Sequence, residues 1–187
     1  VRQRESHGMS FQSSFTFSKG VGYVPDNGIT PEHRDYFHGR MPTDYRKRWV
    51  TSLIYRIPTM PNLSRWAKPI LDGWESSAII NLQGGLPFSV FSSQNMNDGL
   101  NASRANLVSG KGSPSLPTDQ RTINRWFNTD AFAIPDNSSW GSAGVNILEG
   151  PGFSQVDLAV QKQFKVRESV TMLFRTEASN LFNRVNL

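Results

Sequence analysis

The chain has 187 residues, a formal net charge of +5, no cysteine and a hydrophobic fraction of 37 %, which is low for a packed globular core. Aromatic residues make up 11 %, more than is usual in a disordered chain. No run of about 18 apolar residues occurs, which excludes a transmembrane helix. A transmembrane β-barrel stays open, because its strands alternate in polarity and leave the mean hydropathy polar.

The ends of the chain predict a fragment of a longer protein. The sequence begins at Val1 with neither an initiator methionine nor a signal peptide. Residues 180–187 read like the exit of a strand, with no terminating element after them. We therefore expect the targeting segment to lie upstream.

Alternation of apolar and polar residues predicts five strands. The first, at residues 9–18, places Met9, Phe11, Phe15 and Phe17 on one face, and mainly serine, threonine and glutamine on the other. The same pattern recurs at residues 49–57, 74–83, 156–163 and 170–178. Each strand has about ten residues, the length that crosses a bilayer at a tilt. No segment keeps a helical period, so helix is at most a minor component.

Two architectures produce such alternation, a membrane barrel and a soluble β-sandwich. The polar faces carry ionisable side chains near mid-strand, as a hydrated lumen permits, namely Glu75, Asp157, Arg175 and Glu177. Aromatic side chains gather at strand ends, as in interfacial girdles, namely Trp49, Trp74, Phe164 and Phe182. Both features favour the barrel, and the sandwich, as a glycan- or protein-binding module, remains the alternative.

The predicted connections are about 30, 16, 70 and 5 residues long, so long and short joins alternate. An up-and-down barrel has this property, with long loops outside the cell and short turns in the periplasm. The 16-residue join is long for a periplasmic turn. The longest join becomes an extracellular loop at about residues 93–152, and a short strand at residues 87–92 is expected to continue the third strand. Five or six strands are too few to close a membrane barrel, whose minimum is about eight.

Four blocks, in order, resemble segments of one known family. They are GWESSAIINLQGGLPFSV at 73–90, RWFNTDAFAIP at 125–135, GSAGVNILEGPGFSQVDLAVQKQF at 141–164 and FRTEASNLFNRVN at 174–186. The order and spacing are similar to those of TonB-dependent outer-membrane receptors of the Oar-like kind. The sequence departs from the family pattern at Gly85 and Leu86, at Val145, and at Ala178 and Ser179.

The resemblance implies that the chain is the C-terminal part of a barrel of roughly 22 strands. It further implies an N-terminal plug and a short box that contacts an energising complex of the inner membrane, neither of which is in this sequence, and one last strand is also expected to be missing. The implied location is the bacterial outer membrane, and the implied function is import of an unknown substrate.

No catalytic set is found, so we expect no enzyme, no cofactor and no metal. His7, His33 and His38 are scattered, and there is no cysteine to supply a nucleophile or a zinc ligand. A run with Asn95, Asn97, Asp98, Gly99 and Asn101 only loosely resembles a calcium loop and favours a hydrogen-bonded turn instead.

Aromatic side chains of the long loop leave two interpretations open. They pack the loop on itself, which the sequence favours, or they contact a ligand at the barrel mouth. The candidates for ligand contact are Arg104, Trp126, Phe127 and Trp140. Phe132 belongs to the same aromatic group.

A register follows if the last two strands share an apolar face, because paired residue numbers must then sum to an even value. We predict that Asp157 lies opposite Arg175 as a lumen-facing ion pair, with Val160 opposite Met172 and Leu158 opposite Phe174. Cross-strand pairs of this kind contribute roughly 0.2–1 kcal/mol each.

The densest basic cluster is Arg46, Lys47 and Arg48. It is too narrow for a nucleic-acid surface, so no nucleic-acid partner is expected. The simplest interpretation is a solvated flank of a strand. As a further hypothesis, the cluster lies at the outer rim and contacts lipopolysaccharide phosphates.

Overall fold

A computed structural model describes residues 2–24, 35–58, 60–92, 103–136 and 139–186, and for residues 2–6 the backbone only. The chain forms two compact units. The wall unit comprises residues 1–17, 47–83 and 152–187, and the loop unit comprises residues 18–46 and 84–151. Each unit is described by itself below.

Strands dominate both units. In chain order the elements are β1 (Arg2–Ser6), β2 (Met9–Phe17), β3 (Val21–Tyr23), β4 (His38–Arg40), β5 (Lys47–Arg56), α1 (Lys68–Leu71), β6 (Trp74–Gln83), β7 (Pro87–Phe88), β8 (Asn106–Leu107), β9 (Phe132–Ala133), β10 (Leu148–Glu149), β11 (Phe153–Arg167) and β12 (Val170–Ala178). In the described chain, no helix is long and apolar enough to cross a membrane.

The wall unit is one six-stranded sheet in the order β1-β2-β5-β6-β11-β12, and every pair is antiparallel. Each strand lies beside the wall strands that precede and follow it in the chain, which is an up-and-down arrangement. The predicted all-β antiparallel fold class is confirmed. The residues that separate the wall strands in sequence are the two segments of the loop unit and three shorter joins.

Both long connections start and finish at the same end of the wall sheet. Phe17 at the end of β2 pairs with Lys47 at the start of β5, and Gln83 at the end of β6 pairs with both Arg48 and Phe153. We call this the loop end of the sheet. The opposite end of the sheet, where the shorter joins lie, is called the turn end.

The two faces of the wall sheet differ in chemistry. Leu53, Ala78 and Leu158 lie side by side in one row across β5, β6 and β11. The neighbouring row, one residue along, contains Ser77 opposite Ile54. Because the side chains of a strand alternate, the first row belongs to a face of mostly apolar residues and the second to a face of mostly polar ones.

The apolar face is exposed. Phe15 and Phe17 on β2 keep 65 % and 66 % of their surface, and Met172 and Phe174 on β12 keep 55 % and 48 %. A soluble sandwich predicts the opposite, because its apolar faces turn towards a second sheet. In the part of the chain that the structure describes, no large side chain is completely buried.

Several strand bounds differ from the predicted ones. β1 was not predicted, because its sequence RQRES carries no apolar alternation. β11 runs from Phe153 to Arg167 rather than over 156–163, so the chain turns at residues 168 and 169 alone. The predicted short strand at 87–92 ends at Phe88, and it pairs with β10 in a separate two-stranded sheet.

The predicted register between the last two strands is wrong. Leu158 lies opposite Ala178, Gln161 opposite Arg175, and Phe164 opposite Met172. The paired residue numbers sum to an even value, as predicted, so the apolar residues of the two strands share a face. The offset is fixed by the tight turn after β11 and by a bulge between Lys165 and Arg167, and neither is encoded in the alternation.

The 16-residue join at the turn end contains the short helix α1. The backbone N–H of Asp72 donates to the carbonyl of Lys68 at 3.1 Å, and Gly73 follows with a φ of +75°. A glycine in the left-handed region is a common way to end a helix. The indole Nε1 of Trp74 donates to the Ile70 carbonyl at 3.0 Å, which fixes the join against the start of β6.

Short strand pairings occur within each of the two chain segments of the loop unit. β3 pairs with β4, β7 with β10, and β8 with β9. A parallel bridge between Gly39 and Val145 links the first segment to the second. The small core includes the buried residues Phe37, Ala143, Val145 and Leu148.

Candidate functional site

Charged and amide side chains form a row across the polar face of the wall sheet. The Nε of Arg56 donates to the Oε2 of Glu75 at 2.7 Å, and the Nε2 of Gln161 donates to the Oε1 of Glu75 at 2.6 Å. Arg175 lies opposite Gln161 and forms an ion pair with Glu177. These exposed pairs stabilise the sheet by at most about 1 kcal/mol each, so the row marks a hydrated surface rather than a structural core.

Asp157 does not pair with Arg175. Its carboxylate accepts hydrogen bonds from the Gln155 amide at 2.8 Å, from the Ser179 hydroxyl at 2.9 Å and from the Asn180 backbone N–H at 2.9 Å. The predicted lumen-facing pair is therefore replaced by two separate clusters on the same face. The register explains this, because it places Arg175 opposite Gln161.

The NLFN block folds back as a turn rather than leaving as a strand. Asn180 has a φ of 48°, and its side chain exchanges two hydrogen bonds of 3.0 Å with the backbone of Arg184. The Leu181 N–H donates to the Val156 carbonyl at 2.8 Å. Asn tolerates the left-handed region better than most residues, which explains its use here.

Arg104 is buried in the loop unit, with 5 % exposure. Its Nε donates to the Ala143 carbonyl at 2.7 Å, and its Nη2 donates to the Tyr36 carbonyl. The guanidinium carbon lies 3.4 Å from the centroid of the Tyr36 ring, and Trp140 packs edge-on against the same ring at 4.5 Å. Arg104 therefore joins the two segments of the loop unit and offers little surface to a ligand.

The remaining candidates for ligand contact also make contacts inside the loop unit. Trp126 donates from Nε1 to the Glu149 carbonyl at 2.7 Å. Phe127 lies between Phe88 and Phe132, with ring centroids 5.9 and 5.6 Å away. These positions agree with the packing interpretation, and contact with a ligand stays a prediction.

Asp44 is a buried carboxylate that the sequence analysis did not single out. Its Oδ1 accepts from the Gly20 N–H at 3.0 Å and from the Ser18 hydroxyl at 3.2 Å, and Arg40 Nε lies 3.3 Å from its Oδ2. The Gly20 hydrogen bond, with smaller contributions from Ser18 and Arg40, lowers the pKa of Asp44 below its ordinary value of 3.8, although burial opposes the shift. The negative charge thus organises the first segment of the loop unit.

Arg40 also connects the first segment of the loop unit to the second. Its backbone carbonyl accepts from the Asn146 amide at 2.6 Å, and its guanidinium lies 3.6 Å from Glu149. Asn146 has a φ of 52°, and its backbone N–H donates to the Ser89 hydroxyl at 2.9 Å. The sequence signal for Asn146 was its place in the third family-like block. Arg40 gave none, because its partners in the second segment, Asn146 and Glu149, lie far away in sequence.

The basic cluster is not gathered on one face. Lys47 lies opposite Phe17 and shares the apolar face with Trp49, whereas Arg48 lies on the polar face. Arg46 belongs to the loop unit, where its carbonyl accepts a hydrogen bond from the Ser18 N–H. Of the three, Lys47 alone is placed beside the exposed aromatic side chains.

The residues considered for a metal do not come together. Among the described residues, no three His, Cys, Asp or Glu side chains are close enough to hold an ion. His38 packs edge-on against Tyr23 at 5.1 Å, and His7 lies in the turn between β1 and β2. His33 and the calcium-like run at Asn95–Asn101 lie outside the described residues.

Comparison with known proteins assigns this arrangement to a family. Residues 1–187 match the family described as "Outer membrane beta barrel domain". The chain belongs to that family. Searches of curated proteins and of solved structures each returned no match.

In an outer membrane beta barrel domain the two faces of the wall sheet have distinct surroundings. The exposed apolar face lies against acyl chains, and the face with the Arg56–Glu75–Gln161 row lies towards the barrel interior. The domain resides in the bacterial outer membrane and forms part of a barrel wall.

Proposed function

We propose that this domain supplies wall strands and an outer loop of a TonB-dependent receptor of the Oar-like kind, which imports a substrate across the outer membrane. On this proposal the parent barrel has roughly 22 strands and surrounds a plug. The inner-membrane energising complex acts through a box in the missing N-terminal part. The domain itself catalyses no reaction and holds no cofactor.

One observation carries the proposal beyond a generic barrel. Three of the four family-like blocks meet inside the loop unit. The Gly150 N–H donates to the Leu86 carbonyl at 2.8 Å, and Trp126 donates to the Glu149 carbonyl at 2.7 Å. A Cβ on Gly85 would lie 1.9 Å from the Gly150 oxygen, so this close approach of the two backbones requires glycine at position 85. Blocks that are far apart in sequence but fold together support one shared architecture.

The proposed mechanism has three parts. On this proposal the two long connections that form the loop unit are extracellular, and cargo binds there first. The hydrated inner face, with its charged row, lines the passage that opens when the plug moves. Arg104 and the aromatic cluster hold the shape of the outer loop, so that the residues around them present a fixed surface to the cargo.

The proposal is tested on the full parent protein in two steps. Gel mobility of boiled and unboiled outer-membrane samples reports a closed barrel. Capture of the unboiled protein by the periplasmic domain of the energising protein reports TonB dependence. A matched variant that lacks only the N-terminal box should keep the mobility shift and lose capture. A heat-sensitive barrel that never binds the energising domain would leave a passive barrel and remove the receptor proposal.

Lipopolysaccharide is proposed as a partner at the loop end through Lys47, and the exposed aromatic residues beside it fit a membrane interface. Lys47→Gln should lower lipopolysaccharide retention by the purified parent protein. Arg48→Gln is a matched control, because it removes the same charge from the opposite face. Equal retention by both variants and the unchanged protein would end this part of the proposal.

A further inference from the structure

A groove lies at the turn end of the wall sheet, between the join that contains α1 and the far end of β11. It has a volume of about 450 Å³ and is lined by Arg65, Lys68, Pro69, Asp72, Gly73, Lys162, Gln163, Phe164 and Lys165. β11 extends past its last pairing with β6, at Lys162 opposite Trp74, and this overhang forms one wall of the groove. The join forms the other wall.

The groove is strongly basic. Four of its lining residues are cationic and only Asp72 is anionic, which gives a formal charge of +3. Arg65, Lys68 and Lys165 are exposed. Among the described ion pairs none involves these three side chains, so their charge is balanced by no carboxylate of the described chain.

Lys162 adds a buried positive charge on the apolar face. It is 3 % exposed, and its Nζ donates to the Ile70 carbonyl at 2.8 Å and to the Asp72 carbonyl. The rings of Trp74 and Phe164 lie 5.4 and 5.0 Å from the same nitrogen. The ammonium group holds the join against the sheet and keeps the potential of the groove positive.

Exposed apolar side chains flank the basic lining residues in the sequence of the join. Trp66 is 77 % exposed, Ile70 57 % and Leu71 49 %. They are continuous in the chain with the basic residues and lie on the join that Lys162 fixes to the lipid-facing side. Exposed aromatic and aliphatic side chains beside arginine and lysine are the composition of a protein segment at a membrane interface.

We infer that this groove binds the headgroup of an anionic glycerophospholipid, with Arg65 and Lys68 on the phosphate and Trp66, Ile70 and Leu71 beside the acyl chains. A phospholipid fits because exposed apolar side chains and basic lining residues belong to one short join, and because the lining adjoins the face that lies in the bilayer. The inference rests on one part of the proposed function, namely that the turn end faces the periplasmic leaflet.

The test uses the full parent protein in detergent, stripped of lipid and titrated with phosphatidylglycerol or with phosphatidylethanolamine of the same acyl chains. Native mass spectrometry counts the bound lipid. We expect phosphatidylglycerol to be retained preferentially. The double variant Arg65→Gln/Lys68→Gln should bind it about 30-fold more weakly, from the usual contribution of two basic residues at an anionic lipid surface.

Two further variants make the result specific. Lys111→Gln/Arg125→Gln removes the same charge from exposed sites of the loop unit and should bind as the unchanged protein does. Arg65→Lys/Lys68→Arg keeps the charge and should retain most of the affinity. Heat-dependent gel mobility, measured first on every variant, confirms that each barrel is closed.

Three outcomes would overturn the inference. They are equal retention of the two phospholipids, unchanged binding by the double glutamine variant, and an equal loss of binding in the Lys111→Gln/Arg125→Gln variant. None of these outcomes depends on the energising complex. The lipid site and the receptor proposal can therefore fail independently.

Discussion

An arginine placed on each face of β6 would test which face meets the lipid. Ala78 lies near the middle of the strand, in the apolar row with Leu53 and Leu158, and Ser77 is its neighbour on the polar face. Ala78→Arg should destabilise the folded barrel by roughly 2–4 kcal/mol, the cost of arginine at the bilayer midplane. Ser77→Arg should change the stability by no more than about 0.5 kcal/mol, as other surface substitutions do, because its side chain reaches the hydrated interior.

The position of Ala78 sets this magnitude. β6 has 10 residues. At about 3.3 Å per residue and a tilt of about 45°, it rises roughly 23 Å along the bilayer normal, close to the height of the apolar band of a barrel. Ala78 therefore lies near the midplane, where the cost for a charged residue is greatest. An arginine nearer either end of the strand would cost less.

The assay is urea unfolding of the parent protein in phospholipid vesicles, followed by heat-dependent gel mobility. Ala78→Leu is a further variant, because an acyl-chain environment accepts the larger side chain without loss. A second protein layer over this face would make the same change cost about 1–3 kcal/mol by overpacking. A larger cost for Ser77→Arg than for Ala78→Arg, or a destabilised leucine variant, would refute the assignment of the faces.

The remaining predictions concern the loop unit, and amide hydrogen exchange of the parent protein measures all of them. Arg104→Ala should destabilise the unit by about 3–5 kcal/mol, because it leaves one buried and one partly buried carbonyl without a charged donor and removes the contact with the Tyr36 ring. Arg125→Ala, which removes an exposed ion pair of 4.0 Å, should change the stability little. Gly141→Ala should strongly lower the protection of the unit against exchange, because its Cβ would lie 1.6 Å from the Arg104 backbone oxygen. Gly20→Ala should lower the protection only slightly, since the nearest atom to its Cβ is 3.5 Å away. Equal protection in the two variants would contradict the close approach at Gly141. The lowered pKa of Asp44 means that its stabilisation is complete above about pH 4 and is lost as the pH falls through the folded-state value. Asp44→Asn should remove this acid sensitivity, and a variant that keeps it would show that another group is responsible.

The wall sheet could be predicted largely from the sequence, because alternation in a strand is local. The strand at residues 74–83 was predicted with the bounds that the structure shows. The alternation of apolar and polar residues does not predict where turns and bulges lie. The tight turn at residues 168 and 169 and the bulge before it moved Arg175 away from Asp157, although both keep the predicted face.

The loop unit could not be predicted, for a different physical reason. Its stability comes from single polar contacts across long stretches of chain, such as Asn146 to Arg40 and Arg104 to Tyr36. No periodic pattern in the sequence predicts such contacts. The resemblance blocks pointed to Asn146 and Gly150, while Arg40 and Asp44 precede the first block.

The role of Lys162 could not be predicted from the sequence either, for a third reason. A lysine on the apolar face contradicts the simple alternation rule, and the sequence analysis left it unassigned. In the structure its charge is satisfied by carbonyls at the end of α1. Only the fold of the 16-residue join, which the sequence marked as unusually long, supplies those carbonyls.

Residues 18–46 and residues 84–151 belong to one unit, and this affects both the folding and the engineering of the domain. The Asn146–Arg40 hydrogen bond joins residues 106 positions apart in the chain. Contacts of such high sequence separation form late in folding, since a long loop must close before they are made. The contacts of the first connection with the second therefore form only after the strands between them are paired. An engineer who wished to graft this surface onto another barrel would have to transplant both connections together, with the spacing of the strands that carry them.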